Sequence, residues 1–241
     1  MNRFKPWVSM AVVLVAGFYV TGSDYDSRGA LAASSSGTIS GRVVFTGDAP
    51  AQKKIKVTKD SEKCGAEVGS EELIVGADKG IANAVVSVAG LKSAPPKPAT
   101  PATIDQKGCV FRPHVAIVGV GAPLDILNND GVLHNFHTTS TKNPPLNRAQ
   151  PGFRKKMSET FKQPETMKVT CDAHPWMSAW VVVTDHVYID ATDNGGNFKI
   201  TEVPPGNHTV EVWHESLGKV TKTVTVKAGE EAKINIELSK K

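Results

Sequence analysis

The side chains best able to do chemistry lie in one short stretch, residues 171–177, which reads Cys-Asp-Ala-His-Pro-Trp-Met. Within it Cys171, His174 and Met177 offer a thiolate, an imidazole and a thioether. Copper that cycles between Cu(I) and Cu(II) is held by two imidazoles, one thiolate and a weak, long axial Met. His134, which follows a turn-like Asn-Asn-Asp-Gly run, is the candidate for the second imidazole. The pattern therefore predicts a copper site with the ligands His134, Cys171, His174 and Met177.

Both ligand segments resemble those of the cupredoxins, the small blue-copper β-sandwich proteins. The Cys-x-x-His-Pro-aromatic-Met loop at 171–177 and the His-Asn-x-His run at 134–137 are similar to the amicyanin type, in which the interval between the downstream His and Met is short. The resemblance covers roughly residues 100–186. It implies the same four ligands, one type 1 copper per chain, and outer-sphere transfer of single electrons as the activity.

Three neighbours of the ligands would support such a site. Asn135 directly follows the first ligand and would tie the two ligand segments together by hydrogen bonds, which orient His134 and tune the Cys171 sulfur. Pro175 and Trp176 would stiffen the loop and shield the methionine sulfur. Copper ligands held in this way keep their geometry when the electron moves.

The resemblance also implies an exit route for the electron. In amicyanin-like proteins the downstream histidine, here His174, lies near the surface within an apolar patch and passes electrons through its imidazole edge. Pro175, Trp176 and Leu133 would form that patch in this chain. The acidic Asp172 should favour Cu(II) and lower the reduction potential.

Other readings of these residues carry less weight. His137 is the first alternative ligand, but residues three apart in a strand point to opposite faces. Structural zinc sites usually take four Cys or His ligands, and Met is a poor zinc ligand. A Cys171 nucleophile activated by His174 would lack an oxyanion hole and leave Met177 unexplained. No second histidine-rich copper centre is evident, so we expect no enzymatic activity.

The cysteine count is odd, because the chain has three. Under the resemblance Cys171 is a copper ligand, which leaves Cys64 and Cys109 to pair as a disulfide in an oxidising compartment. Two unpaired thiols, or a second site that uses Cys109 and His114, are the alternatives.

The N-terminus is typical of an export signal. Arg3 and Lys5 precede an apolar run at 7–20, and Ala-Leu-Ala at 30–32 offers a cleavage site. The run is shorter than the ~20 residues that span a bilayer. We therefore expect a cleaved signal at 1–32 and a periplasmic or otherwise exported protein, held at a membrane only if the segment is uncleaved.

The charge of the chain indicates which classes of partner to expect. The net charge is +4 at pH 7 and no basic cluster is interleaved with aromatic residues, so we expect no nucleic-acid partner. Redox proteins such as a c-type cytochrome or a periplasmic dehydrogenase are the expected partners. The ligand set leaves open an alternative function, a copper storage or delivery module attached to a β-sandwich interaction domain.

The rest of the chain predicts an all-β fold. Segments rich in β-branched residues, many of them alternating, recur between turn clusters, as in antiparallel sandwiches. They lie at 39–45, 84–88, 209–213, 222–226 and 233–238. We expect a cupredoxin Greek-key β-sandwich at 100–186 and a second, smaller β-sandwich.

The smaller sandwich resembles a second family, the carboxypeptidase regulatory-like domains of transthyretin-like fold. Residues 192–212 carry the turn, strand, Pro-Gly turn and strand of that family. Residues 187–241 hold only about four strands, few for a sandwich. The Gly-Thr-x-x-Gly-x-Val run at 37–43 and the Ala-x-Val run at 82–88 match the family's opening strands. Our hypothesis is one discontinuous domain of 37–92 and 187–241; the alternative is a cupredoxin with an elaborated N-terminus and a minimal C-terminal domain.

Overall fold

The computed structural model describes residues 35–95 and 101–240, and these form eighteen strands and one short helix. The all-β prediction is confirmed. The predicted export signal at 1–32 lies outside the described residues. In chain order the elements are β1 (Gly37–Phe45), β2 (Lys54–Lys56), α1 (Ser61–Cys64), β3 (Glu67–Gly69), β4 (Val85–Val88), β5 (Ala102–Gln106), β6 (Phe111–Arg112), β7 (Val115–Gly119), β8 (Pro123–Asn128), β9 (His134–Thr139), β10 (Asn147–Gln150), β11 (Lys156–Thr160), β12 (Glu165–Thr170), β13 (Ser178–Thr184), β14 (Ile189–Ala191), β15 (Asn197–Val203), β16 (Gly206–His214), β17 (Gly218–Val226) and β18 (Glu231–Leu238).

Strands β5–β13 form what we call the central sandwich. One sheet has the order β10-β9-β12-β13-β7 and the other β11-β8-β5-β6. Alternate residues of these strands point inward, as the period of two in a strand requires, and both sheets contribute to one apolar core. Its fully buried members include Ile104, Leu124, Phe136, Met167 and Val181. The expected β-sandwich is therefore present.

The second group of strands, which we call the terminal sandwich, joins both ends of the described chain. Its sheets have the orders β15-β1-β18 and β14-β4-β16-β17. Strand β1 is antiparallel to β15 and parallel to β18. Ile39, Val86, Phe198 and Ile236 share one core. This pairing supports the discontinuous arrangement of 37–92 with 187–241, whose exact limits stay a prediction.

Residues 54–69, which comprise β2, α1 and β3, pack differently from the strands on either side of them. We call them the covering segment. Its Val57 and Cys64 belong to the core of the central sandwich, and Cys64 forms a disulfide with Cys109. The predicted disulfide is confirmed. A segment that lies within 37–92 in sequence is therefore attached to the other sandwich.

A small apolar contact joins the two sandwiches, which belong to one compact unit. Val85 of the terminal sandwich packs with Val115 and Val182 of the central one. The rings of Trp180 and Trp213 meet edge to face, with their centroids 4.8 Å apart. Within the described ranges no helix is long and apolar enough to cross a membrane.

Gly41 of β1 lies where the backbone of β18 leaves no room for a side chain. A Cβ atom at this position would lie 1.6 Å from the carbonyl oxygen of Ile234. No side-chain rotation relieves such a contact, because the obstacle is backbone. Only glycine fits here, and the strand pairing of the terminal sandwich depends on it.

We expect Gly41→Ala to lower the free energy of unfolding by about 1–3 kcal/mol, since a Cβ atom forces the two strands apart. Chemical denaturation followed by circular dichroism measures this change. Thr223→Ala, on the exposed face of β17, is the control and should change stability by under about 0.5 kcal/mol. Equal stability of the two variants would contradict the close pairing of β1 with β18.

Candidate metal centre

The two ligand segments meet because of the strand order in the central sandwich. β9 begins at His134, and the antiparallel β12 ends at Thr170, directly before Cys171. The start of one antiparallel strand lies beside the end of its neighbour, so His134 and the 171–177 loop share one end of the sheet. β13 begins at Ser178 and closes the loop.

Three of the predicted ligands lie together in this loop region. The Sγ atom of Cys171 is 3.7 Å from Nδ1 of His134 and 3.6 Å from Nδ1 of His174. One ligand atom from each of the three residues lies within 4.8 Å of the others, and all three residues are buried. The residues therefore form a compact cluster that could hold a metal ion.

Met177, the predicted fourth ligand, is buried at the end of the same loop. Its backbone N–H donates to the carbonyl of His174 at 2.9 Å, and its carbonyl accepts from the N–H of Cys171 at 3.3 Å. These bonds fold the loop into consecutive tight turns. The backbone therefore holds the thiol, the imidazole and the thioether on one short, closed loop.

The outer ring nitrogens of both histidines contact carboxylates. Nε2 of His134 lies 2.9 Å from Asp130, and Nε2 of His174 lies 2.9 Å from Asp60. Each outer nitrogen can donate a proton to its carboxylate, and Nδ1 of each ring then faces the Cys171 sulfur. Metal-bound histidines typically have such a partner, which fixes the tautomer and the ring orientation.

Neither aspartate was identified from the sequence. Asp130 lies in the turn four residues before His134, and its carboxylate also accepts from the N–H groups of Gly108 and Cys109. The turn places a carboxylate close to His134, and this proximity could have identified Asp130 from the sequence. Asp60 is 114 residues from His174 in the chain, and no local pattern connects the two.

Hydrogen bonds within the cluster raise the pKa of His134 and lower the pKa of Cys171. Burial opposes the charged form of His134, but the hydrogen bonds and charges of Asp130 and Cys171 outweigh it and raise its pKa to about 9. Burial also raises the pKa of Cys171, yet hydrogen bonds from His134 and from the N–H of Asn135 bring the net pKa below its usual value. The thiol is thus poised to become the thiolate that binds soft metals.

The second imidazole has the opposite tendency. Burial is the largest effect on His174 and lowers its pKa. The hydrogen bond with Asp60 opposes this, while the positive charges of His134 and Lys59 add to it. The net result favours the neutral imidazole, which is the form that binds a metal.

Asn135 connects the two ligand segments. Its N–H donates to the Cys171 sulfur at 3.4 Å. Its side-chain oxygen accepts from the N–H of Asp172 at 2.9 Å and of Ala173 at 3.2 Å. These bonds hold the start of the loop against β9, the geometry in which the sulfur faces both imidazoles.

His137, the alternative ligand, is not part of the cluster. Its Nδ1 lies 2.8 Å from Asp172, and its side chain is 42% exposed. Hydrogen bonds from His137, Asn147 and Asn135 lower the pKa of Asp172 to about 2. Asp172 therefore contributes a negative charge beside Cys171, on the outer side of the loop.

The alternative site at Cys109 and His114 is also not formed. Cys109 is in the disulfide, so it has no thiolate to offer. His114 is buried between the two sandwiches, where Glu215 contacts its Nε2 and Glu71 lies 3.9 Å from its Nδ1. This histidine forms part of a polar contact between the two sandwiches.

Contrary to what the resemblance had implied, the imidazole edge of His174 is not exposed. The side chain is fully buried, and Asp60 of the covering segment contacts its outer nitrogen. Trp176 packs on it with ring centroids 5.1 Å apart and donates from Nε1 to the carbonyl of Cys109. The disulfide holds the covering segment in this position. Pro175 and Leu133 are exposed, as expected.

Comparison with known families identifies one part of the chain. Residues 170–239 match the family model of the carboxypeptidase regulatory-like domain. This resemblance was predicted and is confirmed. The match begins before the terminal sandwich does, because β13 pairs with β12 and β7 in the central sandwich. No curated protein matches the sequence.

Solved structures similar to part of the chain include copper proteins. The purple cupredoxin from Nitrosopumilus maritimus is 20% identical in sequence with a TM-score of 0.29. The alignment covers 34% of this chain and 99% of the cupredoxin. A reduced Cu(I) form of an amicyanin variant is 20% identical with a TM-score of 0.33, over 41% and 98%. The Cu-containing nitrite reductase from Thermus scotoductus SA-01 is 22% identical with a TM-score of 0.33, over 41% of this chain and only 25% of its own.

We expect Asn135→Ala to destabilise the protein by about 1–3 kcal/mol, because the N–H groups of Asp172 and Ala173 lose their acceptor. Thermal or chemical unfolding of the metal-free protein measures this. Asn147→Ala is the matched control, since Asn147 is exposed and its hydrogen bonds go to side chains, not backbone. A loss no larger than that of the control would show that the loop does not depend on Asn135.

Proposed function

We propose that this chain is an exported type 1 copper protein that carries single electrons between redox partners. The observation that carries the proposal is the buried cluster in which the Cys171 sulfur faces Nδ1 of both His134 and His174. A thiolate with two imidazoles, and a buried thioether on the same loop, is the donor set that suits copper. The residues present therefore fit the metal.

The roles of the ligands follow from this donor set. His134, Cys171 and His174 would hold the ion, with Met177 as the weak axial ligand. When bound, copper would supply a one-electron Cu(II)/Cu(I) couple. Four protein donors would fill its coordination and leave no position for a substrate, so we propose electron transfer without catalysis.

The surroundings of the ligands would keep the site rigid. Asp130 and Asp60 fix the orientation of the two imidazoles, and Asn135 fixes the start of the loop. Buried ligands that cannot rearrange change little between oxidation states, and a small rearrangement favours fast electron transfer. Asp172 would add negative charge that favours Cu(II).

Export is part of the proposal. The Cys64–Cys109 disulfide is typical of proteins in an oxidising compartment. The export signal predicted at 1–32 would direct the chain to such a compartment. A periplasmic location would bring the protein together with redox partners such as a c-type cytochrome or a dehydrogenase.

The spectrum of the Cu(II)-loaded protein tests the ligand set. We expect an intense absorption band near the red end of the visible range and a narrow parallel copper hyperfine splitting in electron paramagnetic resonance. Cys171→Ser should abolish both, because the band arises from the thiolate. His137→Ala, which removes an imidazole outside the cluster, should retain both.

Two outcomes would contradict the proposal. A colourless protein that binds Zn(II) equally well would remove the basis for a type 1 site. A blue protein that exchanges electrons slowly but hands Cu(I) readily to a chelator would indicate storage or delivery instead of electron transfer. Reversible voltammetry and self-exchange rates distinguish the second case.

Copper uptake should also release protons. The pKa of His134 is raised to about 9 in the metal-free protein, so His134 and Cys171 together hold at least one proton at neutral pH, which the metal must displace. We expect release of about one proton per Cu(I) near pH 7, measured by anaerobic calorimetric titration in buffers of different ionisation enthalpy.

The control for this titration is Asp130→Asn. It removes a carboxylate that raises the pKa of His134, so the pH range of proton release should move downward. Uptake without proton release at pH 7, in the native protein, would contradict the raised pKa of His134.

A further inference from the structure

The surface beside the copper loop is a groove lined by lysines. It has a volume of about 520 Å³ and runs between the covering segment, β12 and the 171–177 loop. Lys53, Lys54, Lys56 and Lys168 line it, and Glu72 is its only acidic lining residue among those described. The groove therefore carries a net positive charge where the sequence predicted an apolar patch.

Most of these charges are free to meet a partner. Lys53 and Lys56 are exposed, and within the described residues neither they nor Lys168 form an ion pair. Lys54 lies 3.5 Å from Glu67, but both side chains are more than half exposed, and such pairs contribute little. The lysines thus have no internal function that the structure reveals.

The groove is in contact with the proposed copper site through one aromatic side chain. Trp176 lines the groove, and its ring also meets the ring of His174 edge to face. Because His174 is buried, a partner cannot touch this ligand directly. For a partner bound in the groove, Trp176 and the adjacent Pro175 would provide a short path for the electron to His174.

We infer that this groove is where the electron-transfer partner docks, and that the partner is a small redox protein with a carboxylate-rich face. The lysines would attract and orient the acidic face, while Trp176 and Pro175 form the apolar contact over the ligand. Redox encounters use small interfaces, and complementary charge speeds their formation. The inference rests on the proposed function, because a docking surface next to His174 has this meaning only if the protein transfers electrons.

The first test is the rate of electron exchange with a purified acidic c-type cytochrome. We expect Lys53→Glu/Lys56→Glu to slow the second-order rate about tenfold or more at low ionic strength. The difference should fade as added salt shortens the screening length to about 3 Å near 1 M. With a basic cytochrome the same variant should react faster than the native protein.

The matched control makes the same change of charge on the terminal sandwich. Lys199→Glu/Lys222→Glu alters exposed lysines of β15 and β17 and should leave the rate within about twofold. An equal loss in both double variants would show that only net charge matters and would overturn the inference. The inference would also be overturned if the native protein exchanged electrons faster with the basic cytochrome than with the acidic one.

A second measurement does not depend on copper. Addition of the acidic cytochrome to the 15N-labelled, metal-free protein should shift the amide resonances of residues 53–56, 168 and 175–176, and charge reversal should remove these shifts. Shifts elsewhere only, or none, would overturn the docking surface.

The two proposals fail in distinguishable ways. A blue protein with a reversible potential, but no effect of the groove lysines, would overturn the docking surface and leave the function standing. Groove shifts in a protein that yields neither blue band nor reversible potential would support an acidic protein partner and overturn electron transfer.

Discussion

The structure of the candidate metal centre depends on one constraint: two imidazoles and a thiol are buried together at one end of a sheet. Buried polar groups are costly unless they are hydrogen-bonded, and here each has a partner. Asp130 and Asp60 satisfy the outer ring nitrogens, and the N–H of Asn135 approaches the sulfur. With the outer nitrogens engaged, Nδ1 of each ring is left to face the sulfur. The protein's own hydrogen bonds therefore orient the three donors as a metal site would require.

The covering segment determines which side chains near the cluster reach the surface. Its carboxylate from Asp60 closes the approach to His174, and the disulfide to Cys109 keeps it there. Trp176 becomes the side chain that contacts both the buried ligand and the surface. The same segment contributes Lys54 and Lys56 to the groove. One short stretch of chain thus helps to bury His174 and adds positive charge to the neighbouring surface.

The terminal sandwich explains how this segment comes to lie there. β1 is anchored between β15 and β18, a position that the absence of a side chain at Gly41 permits. β4 is anchored between β14 and β16. The chain between β1 and β4 leaves the terminal sandwich and returns to it, and on the way it packs Val57 and Cys64 into the central core. The small contact around Val85, Val115 and Val182 joins the two sandwiches.

The sequence by itself predicted the all-β class from local alternation, and the grouping of His134 with the 171–177 loop from the donors that they offer. The disulfide was implied by the resemblance, which assigns Cys171 to copper and leaves Cys64 and Cys109 to pair. Asp60 and the lysine groove were decided only by the tertiary structure. Asp60 is 114 residues from His174, and Lys56 and Lys168 line one groove although they belong to distant strands. Local patterns describe which donors a loop offers, whereas burial and charge around a ligand depend on which distant segment packs over it. That is why the burial of His174 could not be read from its own loop.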